Sequence, residues 1–220
     1  GFTISGLQVD STGQCVGLFA HLNQGGIIKN VNVQVDIDSD QNKVGGLVGC
    51  SKGTIQNSST SGNVTGQYCV GGIVGLASDD ITSLDCTEPM NNIIAQGDGP
   101  GLVASSSSTV VNGVGDVGGA VGHAENLGIV NSHATGNVTS AGDQNTGGFA
   151  GQLDNSQVVF SYATGDVLGD DYDAGGFAGD IDSSIVSSSY ATGDVSSGQY
   201  VGGFIGDTDE GDLNVVARFD

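Results

Sequence analysis

Val201-Gly202-Gly203-Phe204-Ile205-Gly206 is a six-residue frame that returns along the whole chain, and its return decides the fold. It recurs as Ala174–Gly179, Thr146–Gly151, Val117–Gly122, Val70–Gly75 and Val44–Gly49, with a worn copy at Val16–Ala20 and a fainter echo at Gly101–Val103. The apolar residue after the glycines falls at positions 18, 47, 73, 102, 120, 149, 177 and 204, in steps of 29, 26, 29, 18, 29, 28 and 27. A fixed period between roughly 20 and 50 residues marks supersecondary units that bury their apolar faces only against their neighbours. The expected fold is therefore all-β: a β-solenoid (β-helix) of about eight rungs with a repeat of about 28 residues. It forms a single domain over 1–220, with one irregular rung at 76–119.

Two further landmarks follow each frame. The first is an Ile/Val-x-Asn/Ser step, seen at Ile28-Lys29-Asn30, Ile55-Gln56-Asn57 and Ile129-Val130-Asn131. The second is a Gly-Asx-Val turn, as in Gly62-Asn63-Val64, Gly136-Asn137-Val138, Gly165-Asp166-Val167 and Gly193-Asp194-Val195. Short β-branched runs bounded by Gly, Asn, Asp and Ser read as strands, and no ten-residue stretch keeps a helical period. Stacking equivalent residues one strand spacing apart predicts a spine of Phe149, Phe177 and Phe204 and a surface ladder of His133, Tyr162 and Tyr190.

Composition narrows the function. Glycine is 40 of 220 residues but proline only 2, and the glycines sit at fixed places, so neither collagen nor a disordered tract is described. The chain carries 4 basic against 25 acidic residues, a net charge of −21. Phosphate neutralisation needs Lys and Arg, which disfavours nucleic acid as a partner. Such acidity keeps a protein soluble and attracts divalent cations, both of which point outside the cell or to high salt. No apolar run is long enough to span a membrane, and the first residues do not begin a signal peptide. Cys15, Cys50, Cys69 and Cys86 show no metal-ligand spacing; they suggest two disulfides, for which three pairings are possible.

The frames Gly46-Leu47-Val48-Gly49, Gly72-Ile73-Val74-Gly75 and Gly203-Phe204-Ile205-Gly206, followed by Asn-Ser and Ala-Thr-Gly-Asp-Val, resemble the GLUG-motif repeat family. The opening Thr3-Ile4-Ser5-Gly6-Leu7 is also similar to the way such regions begin. The resemblance fails only over 76–119. It implies a β-solenoid from a large secreted or surface-attached microbial protein, such as a haemagglutinin-like adhesin, and it carries over no catalytic residue.

Candidate sites are few. Asp36, Asp38 and Asp40 stand at positions 1, 3 and 5 of a calcium-type loop, as more weakly do Asp207 and Asp209, but Gln41 and Leu47 stand where such a loop wants Gly and Glu. Asp166 and Asp194 share a column in successive rungs, as do Asp180 and Asp207, so each pair could recruit a cation, calcium being the expected one. The dull reading of all eight is a solvated acidic face. Asn57, Asn63 and Asn137 head N-glycosylation sequons, although Asn is also favoured at turns. His21 and His123 share a column far apart, and no histidine triad is expected. No Ser stands in a nucleophile frame and no Cys has a nearby His partner, so no catalytic residue is assigned.

These readings favour a non-enzymatic extracellular structural or adhesive solenoid with a cell-surface or glycan ligand. A calcium-dependent carbohydrate-binding module and a polysaccharide-acting β-helix enzyme are the alternatives. If Leu7 takes the column of Val138 and Leu213 that of Ile129, the chain starts near the level at which it stops. Self-association end to end into a filament is then expected, or membership of a longer adhesin.

Overall fold

A computed structural model describes residues 3–9, 11–78, 86, 101–142, 144–170 and 172–208. Among them every element is a strand, and the strands stack in parallel into four sheets running along one axis. Each turn lays down one long strand, such as Asn32–Asp38, then Val44–Gly45, Val48–Ser51 and Thr54–Gln56. We number the four sheets 1 to 4 in that order. Sheets 1 and 3 each stack seven levels of strand and sheets 2 and 4 six, which makes about six turns. In the later turns the long strand of sheet 1 divides at the Gly-Asx step, as in His133–Ala134 and Val138–Ser140.

The glycine frame is a corner between sheets 2 and 3, not one strand. Its apolar residue forms an inward column of Leu18, Leu47, Ile73, Ala120, Phe149, Phe177 and Phe204, linked turn to turn by backbone bonds such as Ala120 N–H to the Phe149 carbonyl, 2.8 Å. That column has seven levels where the sequence count expected eight. Leu102 belongs elsewhere: it pairs with Ile55 and Ile129 in sheet 4. The irregular segment shrinks accordingly. Val74–Ala77 and the strands from Gly101 to Gly118 pair in register with the turns on either side, so the break expected over 76–119 narrows to the stretch between Ser78 and Gly101.

The phase at the start is also corrected. Ile4 pairs with Val33 but Leu7 with Val35, so a β-bulge at Ser5-Gly6 puts Val9, not Leu7, in the column of Ile37 and Val64 that continues to Val138. Leu213 and Asp209 lie outside the described residues, as does the level at which the chain stops.

The core runs up the axis as stacked identical shapes. Ile28, Ile55, Leu102, Ile129, Val158 and Val186 face in from sheet 4, and Phe149, Phe177 and Phe204 stack at centroid distances of 4.9 and 5.1 Å. The frame glycines answer to crowding. A Cβ on Gly119 or Gly148 would overlap the backbone carbonyl of Gly148 or Gly176 in the next turn, so only hydrogen lets the corners nest. The Asn-Ser landmark closes the corner between sheets 4 and 1. Asn30, Asn57 and Asn131 take left-handed backbone there. The buried Ser58, Ser105, Ser132 and Ser161 each receive the backbone N–H of the turn before on Oγ, at 3.3 Å for all but the last link of this kind, Ser161 N–H to Ser189 at 3.1 Å. These hydroxyls satisfy corner groups that no ladder reaches.

Candidate functional site

Between its two end strands sheet 3 is buried on both faces, and the faces differ. Ala124, Leu153 and Ile181 turn to the main core. The alternate residues Cys50, Leu76, His123, Gln152 and Asp180 form a column on the other face, in register from turn to turn. Against them lies the lead-in to sheet 2, where Cys15, Lys43, Cys69 and Asp116 have left-handed backbone. The closing glycine of each frame makes this approach possible: a Cβ on Gly122 would strike the backbone of Cys69 and Val70. The result is a seam outside the main core. In its first turns the seam holds a satellite cluster of sulfur and hydrocarbon, Cys15, Cys50, Cys69, Leu76 and Cys86, with the buried Lys43 in the same lead-in column. Cys15 bonds Cys50 and Cys69 bonds Cys86, which selects one of the three possible pairings.

Further along, the seam turns ionic. His123 is 3% exposed, with Nδ1 3.1 Å from Asp116 Oδ2 and Nε2 3.0 Å from Asp154 Oδ2 of the next turn. Asp116 and Asp154 are themselves buried. Their other oxygens accept from Asn145 Nδ2 at 3.2 Å and Gln152 Nε2 at 3.1 Å, and Asn145 also donates to Gln152 Oε1 at 3.3 Å. Glu125, two residues beyond His123 on the same face, accepts the Ser78 hydroxyl and stands level with Asp154. Burial is the largest influence on His123 and by itself disfavours its proton. The hydrogen bond to Asp116, then the contact and charge of Asp154, together outweigh it and raise the pKa to about 10. Asp116 holds Nδ1 in hydrogen-bond geometry, and Asp154 of the next turn makes a close ion pair with Nε2.

This set has the residue types of acid–base chemistry without access to solvent, so as it stands it is an internal ion-pair network. Sequence reading placed His21 and His123 in one column, as found through Cys50 and Leu76, but missed Asp116, Glu125 and Asp154 as partners. The available signal was the recurrence of polar residues one and three places after three of the later frames: His123 and Glu125, Gln152 and Asp154, Asp180 and Asp182.

The sites proposed from sequence fall mostly on sheet 1. Asp36 and Asp38 alternate with buried Ile37 in an extended strand and face solvent. Asp38 and Asp40 border a polar groove of about 220 Å³ with Ser11, Thr12, Ser39 and Gln41. Asp36 pairs in register with Asn63, and the same outward column continues through Val110 towards Asn137, Asp166 and Asp194. Side chains there serve the backbone: Asn137 Oδ1 accepts the Asp166 N–H at 3.0 Å and Asp166 Oδ1 the Asp194 N–H at 3.1 Å. Asp180 and Asp207 are register partners on sheet 3. Asn57, Asn63 and Asn137 are all exposed. The ladder of His133, Tyr162 and Tyr190 stacks at 4.6 and 5.0 Å, so its ring faces are covered by each other. Burial lowers the pKa of His133.

Over 76 residues the chain is 43% identical to halomucin of Haloquadratum walsbyi, a match that covers 34% of this chain and 1% of halomucin. No protein-family profile and no solved structure matches the chain. Among the described residues no helix is long and apolar enough to cross a membrane.

Proposed function

We propose that the chain is a non-enzymatic structural element of an extracellular or cell-surface assembly, a length of solenoid that continues end to end with like turns. The observation that carries this reading lies at the two ends of the described stack. Phe19 and Val201 are 41% and 47% exposed, although their columns are buried in the turns between, at Val48, Val74 and Val121 and at Val44, Val70 and Val117. Each end of the described stack thus exposes an apolar column that is covered one turn further in, and a strand edge of that kind is a ready template for a further turn. A head-to-tail contact of this kind generates a filament or a longer solenoid instead of a closed ring.

The match to halomucin supports the same reading, since it is a little under three repeats long yet a hundredth of that protein. Two disulfides and the acid excess fit an extracellular setting. The Gly-Gly-apolar-apolar-Gly frames support kinship with GLUG-motif repeat proteins and, through them, with adhesins. The screening of His123 from solvent argues against catalysis in the seam. Stacked ring faces leave the aromatic ladder poorly suited to lie flat against sugar rings, which weakens the carbohydrate-module alternative.

Sedimentation of the 220-residue chain across micromolar concentrations, with electron micrographs of the same samples, tests this. The expected result is concentration-dependent rods of constant width that lengthen in steps of about 30 Å, the height of the stack at one strand spacing per turn. A monomer at every concentration, without rods, overturns the end-to-end reading.

A further inference from the structure

We propose that Asn63 and Asn137 are acceptor sites for N-linked glycans, both on one face of sheet 1, and that Asn57 is not; the proposal rests on the extracellular reading of the chain. Asn57-Ser58-Ser59, Asn63-Val64-Thr65 and Asn137-Val138-Thr139 all carry the Asn-x-Ser/Thr pattern, but only the last two are built alike. In both, the middle valine is buried in the main core, so the alternation of a strand puts the asparagine and the threonine together on the outer face. Asn63 and Asn137 are exposed there, and Thr65 and Thr139 are half-buried. Among the described residues no hydrogen bond engages either threonine hydroxyl. The third pattern differs on both counts. Asn57 has left-handed backbone on the corner between sheets 4 and 1, so its asparagine and its hydroxyl stand on either side of that corner, and the Ser59 hydroxyl donates to Asn32 Oδ1 at 2.8 Å.

The amides are placed to react at nitrogen. Asn137 Oδ1 accepts the Asp166 N–H at 3.0 Å, which orients the amide and leaves Nδ2 without a partner among the described residues. Asn63 Nδ2 lies 3.5 Å from Asp36 Oδ1, an exposed contact at the far limit of a hydrogen bond. Transfer from a sugar donor carried on a lipid phosphate forms the bond from Nδ2 to the sugar C1 and breaks the bond from C1 to the phosphate oxygen. Nδ2 loses one proton, and the phosphate leaves with the electron pair. The product is still an amide, so Asn137 keeps the carbonyl that receives the Asp166 N–H. Register also joins the two acceptors. Asn63 pairs with Val110, and Val111 with Val138, so Asn63, Val110 and Asn137 share one outward column and the two asparagines stand two strand spacings apart, about 10 Å. Val110 is 40% exposed, an apolar side chain in a column whose other members are Asp36, Asn63, Asn137, Asp166 and Asp194. A first sugar ring on either neighbour lies over it and shields it from water.

The test takes the chain from the cells that produce it, separated into medium, surface and interior fractions, and maps its proteolytic peptides by mass spectrometry. The expected result is chain outside the cell with a sugar mass increment on the peptides of Asn63 and Asn137 and none on that of Asn57. In the same cells Thr139→Ala should abolish the increment at Asn137, while Thr139→Ser, which keeps the hydroxyl, should retain it. Bare Asn63 and Asn137 in chain recovered outside the cell overturn the proposal and leave the extracellular reading standing; recovery from the interior alone overturns both. Equal increments on Asn57 and Asn137 overturn the selection made by the strand, as does an increment at Asn137 that survives Thr139→Ala. If Thr139→Ala does not fold, the peptides of the unsubstituted chain decide the question.

Discussion

Asp116 and Asp154, on successive turns, hold opposite nitrogens of His123 at 3.1 and 3.0 Å. Each turn of the solenoid repeats the same seam geometry, a residue before the frame facing one seven places later. In the preceding turn the equivalent residues are Cys69 and Leu76. One cross-section is therefore filled with disulfide and hydrocarbon and the next with charge, at the same backbone positions.

Removing the imidazole from this network should be far costlier than removing the whole network. His123→Leu, which copies Leu76 in the turn before, leaves buried carboxylates without their cation and should cost about 3–5 kcal/mol. Adding Asp116→Asn and Asp154→Asn should recover most of that loss. Urea midpoints of the two variants measure both effects; equal destabilisation would show that packing, not charge, dominates the seam.

The pH dependence has a definite sign. His123 keeps its proton in the folded chain up to about pH 10 but releases it near 6.5 when unfolded. The stability contributed by this proton is complete below pH 6.5 and is lost as pH rises to about 10. In chelating buffer the denaturant midpoint should fall across that window. The part of the slope that belongs to His123 should vanish in the triple variant.

Phe177 is fully buried between Phe149 and Phe204, with ring centroids 4.9 and 5.1 Å away. Phe177→Ala should cost about 3–5 kcal/mol. An unchanged melting curve would contradict the stacked spine.

Two glycine substitutions should part company. Gly148→Ala drives a methyl into the Gly176 carbonyl and should destabilise by about 1–3 kcal/mol. Gly128→Ala meets open space on an exposed strand without positive φ, and should be neutral or stabilise by up to about 1 kcal/mol. Chemical denaturation of both variants beside the native chain reads the difference.

Salt should stabilise the chain. A net charge of −21 repels itself, and the screening length falls from about 10 Å at 0.1 M to about 3 Å at 1 M. The melting temperature should rise over that range in sodium and potassium chloride alike. A fall would mean that attractive pairs outweigh the surface repulsion.

The solenoid and its period were legible in the chain because stacking is local in sequence: residues one repeat apart become neighbours whatever the cross-section. The Phe149–Phe177–Phe204 spine, the His133–Tyr162–Tyr190 ladder and the Asp166–Asp194 and Asp180–Asp207 columns all follow from the period alone. Leu102 was misread because a Gly-apolar-Val triplet occurs in two landmarks, and only its partners Ile55 and Ile129 tell them apart. What the tertiary structure decided is everything set by the shape of one turn. The cysteine pairing, the partners of His123 and the solvent-facing strand at Asp36–Asp38 depend on how four corners bring sheet 2 against sheet 3. Periodicity fixes distances along the axis. It carries no information about distances across it, because those arise from glycine corners letting backbones from different parts of the repeat touch.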